Sequence, residues 1–174
     1  MTVTEEPALS VPKGSPSGTP KQPNRIFLDT NVYIIGAADP ASPEGQILQW
    51  AEWESDTPGP VEVVISDELL DQVGRVGRRV RGKDWGSQLI NAIWSLRFGY
   101  VALDASDIQA VADSGLVPSE DAGVYLTAQR GQAQCFVSTN RDLIRAVAEK
   151  TGEFECLSPA GFAQKYLRSA DEAE

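Results

Sequence analysis

The segment from Arg25 to Ile34, RIFLDTNVYI, constrains the fold of this chain more than any other stretch. It begins with apolar residues typical of a buried strand, turns polar at Asp29 and regains apolar spacing at Val32. This pattern predicts a strand that ends at Asp29 and a helix that begins directly after it. In open parallel sheets, ligands bind at the carboxyl ends of the strands. Aspartate is also a good helix N-cap, so both a ligand-binding and a capping role are open for Asp29.

The rest of the chain repeats this alternation of short apolar strands and amphipathic helices. Further strands are predicted at about 61–65, 100–103, 134–138 and 153–157. The predicted helices span about 30–37, 42–54, 67–80, 85–98, 104–114 and 120–130, followed by one that ends near 150 and one at 158–167. Such alternation predicts an α/β fold with a parallel sheet covered by helices on both faces.

The chain divides into one domain and two terminal extensions. Residues 1–24 contain five prolines among Ser, Thr, Gly and Lys and show no hydrophobic period, which predicts a disordered N-terminal arm. Residues 25–168 are long enough to form a single domain with a substantial core. Residues 169–174 are predicted to be a flexible acidic tail.

The composition restricts the chemistry to carboxylates. The chain has 25 acidic and 15 basic residues, a formal net charge of −10, and no histidine. The absence of histidine excludes Ser-His-Asp triads, histidine acid–base catalysis and histidine-ligated zinc. An acidic chain does not attract nucleic acid through its overall field, but clustered carboxylates are the ligands that a hard divalent cation requires.

Cysteine usage and hydropathy indicate a cytoplasmic protein. Cys135 and Cys156 each lie in a short apolar segment and are interpreted as buried thiols, with a bridge between neighbouring strands as the open alternative. No apolar run approaches the length of a bilayer span, and no signal-peptide pattern opens the chain. We therefore expect no membrane association.

Carboxylates recur at the ends of the predicted strands. Asp29 ends the first strand, Glu68 lies in the first turn after the second, and Asp121 begins the helix before the fourth. Asn140 and Asp142 follow the fourth strand. The carboxyl ends of parallel strands share one edge of a sheet, where these side chains would repel each other unless a cation such as Mg²⁺ or Mn²⁺ compensated them. Such a site suits phosphodiester hydrolysis. The alternative is that each acid only stabilises a helix N-terminus.

Four segments resemble the PIN-domain family, the fold of VapC-type toxins and related metal-dependent ribonucleases. They are FLDTN at 27–31, VVIS at 63–66, SEDA at 119–122 and VSTNRDL at 137–143, and the resemblance covers most of 25–166. It implies a three-layer sandwich with a parallel sheet of strand order 3-2-1-4-5. It also implies RNA cleavage at an acidic Mg²⁺ or Mn²⁺ site that includes Asp29 and Asp121.

We accordingly expect a set of site residues with three roles. The expected catalytic residues are Asp29, Glu68, Asp121 and Asp142, and the expected metal ligands are Asp29, Asp121, Asn140 and Asp142. Contacts to RNA or a partner are expected from Asn31, Ser138, Arg75, Arg78, Arg79 and Arg81, although a basic run of this kind is also typical of a solvated helix end. The implied partners are RNA, an antitoxin protein and a second copy of the chain.

Two positions depart from the family's pattern. The family usually has a glutamate six residues after the serine that ends the second strand, and this chain has Gln72 there, with Glu68 and Asp71 as the nearest substitutes. After the fourth strand the chain has the neutral Asn140, two residues before Asp142. Neutral residues at both places weaken metal affinity, so a non-catalytic PIN-fold protein that binds RNA or protein is the first alternative.

A phosphatase with an aspartate nucleophile is a second alternative, because that fold also opens with a strand and an aspartate. Its chemistry normally requires a second aspartate two residues later and a lysine near the late acids. This chain has Asn31 at the first of these positions and no lysine between Lys83 and Lys150. The sequence therefore disfavours the phosphatase reading.

Overall fold

A five-stranded, all-parallel sheet forms the centre of the protein. The structure is a computed structural model that describes residues 21–168. The strands are β1 Arg25–Leu28, β2 Glu62–Ser66, β3 Phe98–Val101, β4 Cys135–Val137 and β5 Glu155–Leu157. Their order is β3-β2-β1-β4-β5, so the predicted order 3-2-1-4-5 is confirmed.

Helices flank this sheet, as the predicted three-layer α/β sandwich requires. They are α1 Thr30–Ala38, α2 Pro43–Trp50, α3 Asp67–Arg81, α4 Lys83–Ser95, α5 Ala105–Ser114, α6 Ala122–Arg130, α7 Arg141–Lys150 and α8 Pro159–Phe162. A 3₁₀ turn, Ser119–Asp121, leads into α6, and a π-helical turn, Ala163–Leu167, continues α8. The buried hydroxyls of Ser66 and Thr127 lie 2.7 Å apart and join α6 to the end of β2.

Two elements end earlier than the sequence pattern predicts. Helix α2 stops at Trp50 because Glu52 and Glu54 adopt positive φ angles of 65° and 58°, which cannot continue a right-handed helix. Helix α4 stops at Ser95 rather than at 98, since Leu96 is extended although it is buried like a helical core residue. Strand β3 consequently starts at Phe98, two residues before the predicted strand.

The apolar core fixes the position of the central strands. Ile26, Phe27 and Leu28 of β1 are fully buried, and the rings of Phe27 and Phe136 stack with centroids 4.9 Å apart. Burial of a side chain of this size contributes roughly 1.5–3 kcal/mol. The carboxyl ends of β1 and β4, which carry Asp29 and Ser138, are therefore held on a rigid support.

The described chain begins before β1. Gln22 Nε2 donates a hydrogen bond to the carbonyl oxygen of Tyr166 at 3.0 Å, and the Asn24 carbonyl accepts one from the Glu62 amide at 2.9 Å. These contacts belong to the last residues of the predicted arm. The rest of that arm, 1–20, and the predicted tail, 169–174, lie outside the described residues.

Cys135 and Cys156 lie on the neighbouring strands β4 and β5, and both are free thiols. Cys135 is buried, as predicted, and Cys156 is half-buried. Burial raises the pKa of Cys135 to about 12, which keeps its thiol protonated and unreactive. Between residues 21 and 168, no helix is long and apolar enough to cross a membrane.

Two helix-interior glycines should respond oppositely to alanine. A Cβ at Gly74 would have only the Ile90 side chain nearby, at 3.7 Å, so Gly74→Ala is expected to stabilise the protein by about 0.5–1 kcal/mol. At Gly36 a Cβ would lie 2.9 Å from the backbone of Glu44, so Gly36→Ala should cost about 1–3 kcal/mol. Urea denaturation measures both changes, and a stabilised Gly36→Ala protein would contradict the close packing of α1 on α2.

Candidate active site

Asp29 occupies the carboxyl end of β1 and is oriented by two hydrogen bonds. Its Oδ1 accepts from the backbone amide of Thr30 at 2.8 Å, which caps α1, and its Oδ2 accepts from the Ser138 hydroxyl at 2.7 Å. The residue is only 9% exposed. Burial raises the pKa of the Asp29 carboxyl, while the bonds from Ser138 and Thr30 act in the opposite direction. Asp29 thus caps α1 and also presents a fixed carboxylate at the sheet edge.

Ser138 positions Asp29 from the end of β4. It is fully buried, and its Oγ also accepts a hydrogen bond from the Asn140 amide at 3.0 Å. A buried hydroxyl with two protein partners orients the carboxylate and is not presented to solvent. The expected direct contact between Ser138 and RNA is therefore not possible in this structure, because the Ser138 side chain is not exposed.

Asp121 is electrostatically coupled to Asp29. It ends the 3₁₀ turn before α6 and is half-buried. Partial burial, the negative charge of Asp29 and that of Glu120 together raise the pKa of Asp121 to about 6. The two acids that the PIN resemblance assigns to the metal site are thus close enough for their charges to interact.

Gln72 joins α3 to the start of α1. Its side-chain oxygen Oε1 accepts a hydrogen bond from the Thr30 hydroxyl, one residue from Asp29. Helix α3 therefore faces the site, and the residue that replaces the family's glutamate adds no negative charge there. Thr30 was not singled out from the sequence as a partner of α3, because its contact with Gln72 links positions 42 residues apart.

A groove of about 270 Å³ lies between α3 and the beginning of α6. Glu68, Asp71 and Gln72 line one side of it, and Ser119, Glu120 and Gly123 line the other. The Glu68 Oε2 atom is buried and has no hydrogen-bond partner among the described residues. A buried carboxylate oxygen without a donor is costly, so this groove favours a cationic group or an ordered water beside Glu68.

Asn140 and Asp142 lie at the start of α7. Asn140 is the N-cap, and its Oδ1 accepts from the Leu143 amide at 3.2 Å. Asp142 is exposed in the first turn of the same helix. Asn31 is exposed as well, and its Nδ2 donates to Thr139 Oγ1 at 3.3 Å. The hydrogen bonds of Thr139 and Ser138 place Asn31 and Asn140 near Asp29, while Asp142 lies in the first turn of α7.

The structure brings only some of the predicted metal ligands close together. Within residues 21–168, no three Asp, Glu or Cys side chains come close enough together to hold a metal ion. The coupled pair of Asp29 and Asp121 nevertheless suits Mg²⁺, which keeps several waters and is usually bound through one or two carboxylates. The unpartnered Glu68 oxygen is a further acceptor at the same edge of the sheet. The residues therefore suit a divalent cation that keeps most of its bound water better than a cation coordinated only by protein atoms.

The basic run of α3 extends away from these acids. Arg75 lines the groove beside Glu68, and Arg78 lines a separate depression between α3 and α4. The Arg81 guanidinium lies 5.1 Å from the centre of the Trp85 ring, and Arg79 is exposed. Because a helix rises about 1.5 Å per residue, Arg81 is about 21 Å along α3 from Asp67. Only Arg75 of these four lies in the groove with the acids.

Comparison with known proteins identifies the fold. No protein-family model matches the sequence, and no curated protein does. Among solved structures, a chain of the VapBC2 complex from Rickettsia felis, bound to a DNA fragment from its promoter, is similar with a TM-score of 0.51. The two chains are 13% identical, and the match covers 77% of this chain and 98% of that chain. The fold is PIN-like. At this identity the similarity establishes the fold alone.

The raised pKa of Asp121 gives a pH dependence that can be measured without metal. Its carboxyl binds a proton more tightly in the folded state, with a pKa of about 6 against the ordinary 3.8. Binding of this proton adds to the free energy of unfolding. The contribution is fully present below about pH 3.8 and is lost as the pH rises through 6. In a chelator, Asp121→Asn should therefore reduce the loss of stability between pH 4 and 7, measured by urea denaturation, while the exposed Asp142→Asn should not. Equal pH slopes for Asp121→Asn and the unmodified protein would contradict the coupling.

Proposed function

We propose that this chain is a metal-dependent endoribonuclease that hydrolyses phosphodiester bonds at the edge formed by Asp29 and Asp121. The observation that carries the proposal is that Asp121, in the turn before α6, lies close enough to Asp29, at the carboxyl end of β1, for their charges to interact. Asp29 is mostly buried and its orientation is fixed by protein donors, so a cation would meet a preorganised ligand. In an acidic chain without histidine, a cation is the natural compensation for such charges.

The proposed site assigns each residue a distinct task. Asp29 and Asp121 would hold Mg²⁺ or Mn²⁺, while Thr30 and Ser138 keep Asp29 in place. Such a cation, when bound, supplies a nucleophile at neutral pH and stabilises negative charge on the phosphate. Glu68 would act as the third acid of the edge.

Exposed polar residues would position the RNA chain. Asn31, Asn140 and Asp142 are exposed, and Asn140 and Asp142 would contact the water molecules bound to the cation. Arg75 would contact a phosphate in the groove. The expected contacts from Arg78, Arg79 and Arg81 would require RNA that extends about 9–14 Å along α3 from Gln72.

The similarity to a VapBC2 chain supports a toxin of a toxin–antitoxin pair as the biological setting, with an antitoxin protein as partner. Glu68, Asp71 and Glu120 line a groove that suits a basic side chain of such a partner. The free cysteines support a location in the reducing cytoplasm.

The second candidate is a PIN-fold protein that binds RNA or protein without cleaving RNA. The neutral Gln72 and the lack of a three-carboxylate cluster between residues 21 and 168 favour it. It differs from the first candidate in one measurable property, since it would bind RNA without hydrolysing it.

The proposed function is tested by RNA cleavage with added Mn²⁺, with excess chelator, and after Mn²⁺ is restored. We expect cleavage only in the first and third conditions. Asp29→Asn purified in parallel controls for contaminating ribonucleases, because its preparation should cleave RNA in none of the three. Cleavage that survives the chelator, or that is equal in Asp29→Asn, would refute the proposal. RNA binding without cleavage would favour the second candidate.

A further inference from the structure

Tyr33 of α1 carries a hydroxyl group that lies wholly inside the protein. The residue is 0% exposed, and its hydroxyl has no hydrogen-bond partner among residues 21–168. Its ring contacts the ring of Trp53, with centroids 6.0 Å apart. A buried hydroxyl without a partner is costly, and phenylalanine would fill the same space without that cost. The hydroxyl therefore indicates a partner that is not a direct protein contact.

The position of Tyr33 in α1 directs its hydroxyl toward Asp29. Asp29 is the N-cap of α1, and Tyr33 follows it by four residues, about one helical turn. Helical side chains lean back over the turn that precedes them, so the Tyr33 ring extends toward the N-terminus of α1. Burial and the negative charge of Asp29 both raise the pKa of Tyr33. The hydroxyl consequently stays protonated and is available as a donor.

Among the buried polar side chains, Asp29 has the most unused hydrogen-bonding capacity. The other buried polar side chains of the described residues, tyrosines apart, are hydroxyls that all have partners: Ser66 with Thr127, Thr30 with Gln72, and Ser138 with Asp29. An ionised carboxylate offers about four lone-pair sites. The Thr30 amide and the Ser138 hydroxyl occupy two of those of Asp29. Asp29 can therefore accept a further donor, and a charged acceptor forms a stronger hydrogen bond than a neutral one.

We propose that Tyr33 is a positioning residue for Asp29, acting through an ordered water that accepts from the Tyr33 hydroxyl and donates to the Asp29 carboxylate. Within residues 21–168 the hydroxyl makes no direct bond, so a single bridging water is the shortest link that gives it a partner. Buried waters commonly serve polar groups that the protein itself leaves unpaired. The water occupies a third lone-pair site of Asp29 and leaves the remaining capacity of the carboxylate to the proposed cation.

The bridging water adds a third donor to Asp29. The two carboxylate oxygens are otherwise held by Thr30 at the start of α1 and by Ser138 at the end of β4. A further donor restricts the carboxylate and offsets the cost of burying its charge. Groups that hydrogen-bond to a metal ligand typically change metal affinity by about 10–100-fold. Tyr33 therefore contributes to cation binding without touching the cation, a consequence that rests on the proposed function.

Tyr33→Phe tests the link, because it removes the hydroxyl and keeps the ring. We expect its thermal midpoint in chelator to fall by about 2–4 °C, since Asp29 loses a donor. A hydroxyl without a bound water gives the opposite sign, because the substitution then removes an unpaired polar group and raises the midpoint. An unchanged or raised midpoint would overturn the proposal.

A double-mutant cycle with Asp29→Asn assigns the loss to Asp29. In chelator, Tyr33→Phe should lower the midpoint by less than half as much when Asp29→Asn is already present, because the charged acceptor of the water is gone. Shifts that simply add would show that the hydroxyl acts on another group and would overturn the proposal. This cycle contains no metal and no RNA, so its result does not depend on the proposed function.

Isothermal titration with Mn²⁺ tests the positioning role. Tyr33→Phe should weaken Mn²⁺ binding by about tenfold. Tyr125→Phe is the matched control: Tyr125 is equally buried, and its hydroxyl donates to Glu153 at 3.2 Å, so the variant loses a hydrogen bond but should keep its Mn²⁺ affinity within about twofold. Equal Mn²⁺ affinity of Tyr33→Phe and the unmodified chain would overturn the positioning role. An unmodified chain that binds no Mn²⁺ would instead refute the proposed function, while the cycle in chelator still decides the link between Tyr33 and Asp29.

Discussion

Asp29→Asn is expected to weaken Mn²⁺ binding by at least about 100-fold while leaving the metal-free fold equally or more stable. The asparagine oxygen can still accept the Thr30 amide, and the new amide group can donate to the Ser138 hydroxyl. The substitution removes the negative charge of a carboxyl group that is costly to ionise, because burial raises the pKa of Asp29. It also removes the repulsion that this charge exerts on Asp121. Isothermal titration with Mn²⁺ measures the first effect, and thermal unfolding in chelator measures the second.

The matched control is Asp71→Asn. Asp71 is exposed in the adjacent groove, so this variant changes the net charge equally without removing the buried carboxylate. Its Mn²⁺ affinity should change by less than about threefold, since exposed charges interact weakly through water. An Asp29→Asn protein that is clearly destabilised and still binds Mn²⁺ would show that Asp29 serves only to cap α1.

Gln72→Glu is expected to raise Mn²⁺ affinity by about tenfold, because it adds a carboxylate beside Thr30 and the Asp29–Asp121 pair. One oxygen of the glutamate can keep the hydrogen bond from Thr30, and the other supplies new negative charge. In chelator the same charge should lower the thermal midpoint. The substitution should therefore raise the thermal midpoint in Mn²⁺ and lower it in chelator, and thermal unfolding under both conditions measures this.

Glu68→Gln tests whether Glu68 takes the place of the glutamate that the family usually has at the position of Gln72. If Glu68 substitutes for it, Glu68→Gln should weaken Mn²⁺ binding, while Asp71→Asn does little. The buried, unpartnered Oε2 of Glu68 favours this outcome. If neither Gln72→Glu nor Glu68→Gln alters Mn²⁺ affinity, helix α3 does not contribute to the metal site despite its contact with Thr30.

The fold was predictable because β1, β2 and β4 end where apolar residues give way to small polar ones. This signal located β1, β2 and β4 and, through the PIN resemblance, their order. It failed at α4, where the buried Leu96 follows the helical spacing although its backbone is extended. The end of α2 was also predicted wrongly, since no local sequence pattern indicates the positive φ angles of Glu52 and Glu54. Tertiary packing decided both boundaries.

The site was predictable only as a location. Strand-end carboxylates pointed to the carboxyl edge, and the structure couples Asp29 with Asp121 there. The hydrogen bonds of Ser138 to Asp29 and of Thr30 to Gln72 join residues 109 and 42 positions apart, which no sequence spacing reveals. Ser138 consequently lies buried beneath the site, and most of the basic run lies far along α3 from it.

An anomalous difference map from crystals grown or soaked with Mn²⁺ tests the central claim most directly. The account predicts a peak in contact with the carboxylates of Asp29 and Asp121, with water completing the coordination shell. The peak should be absent from Asp29→Asn crystals treated identically. A map in which the unmodified protein binds Mn²⁺ elsewhere, or not at all at millimolar concentration, would contradict the account.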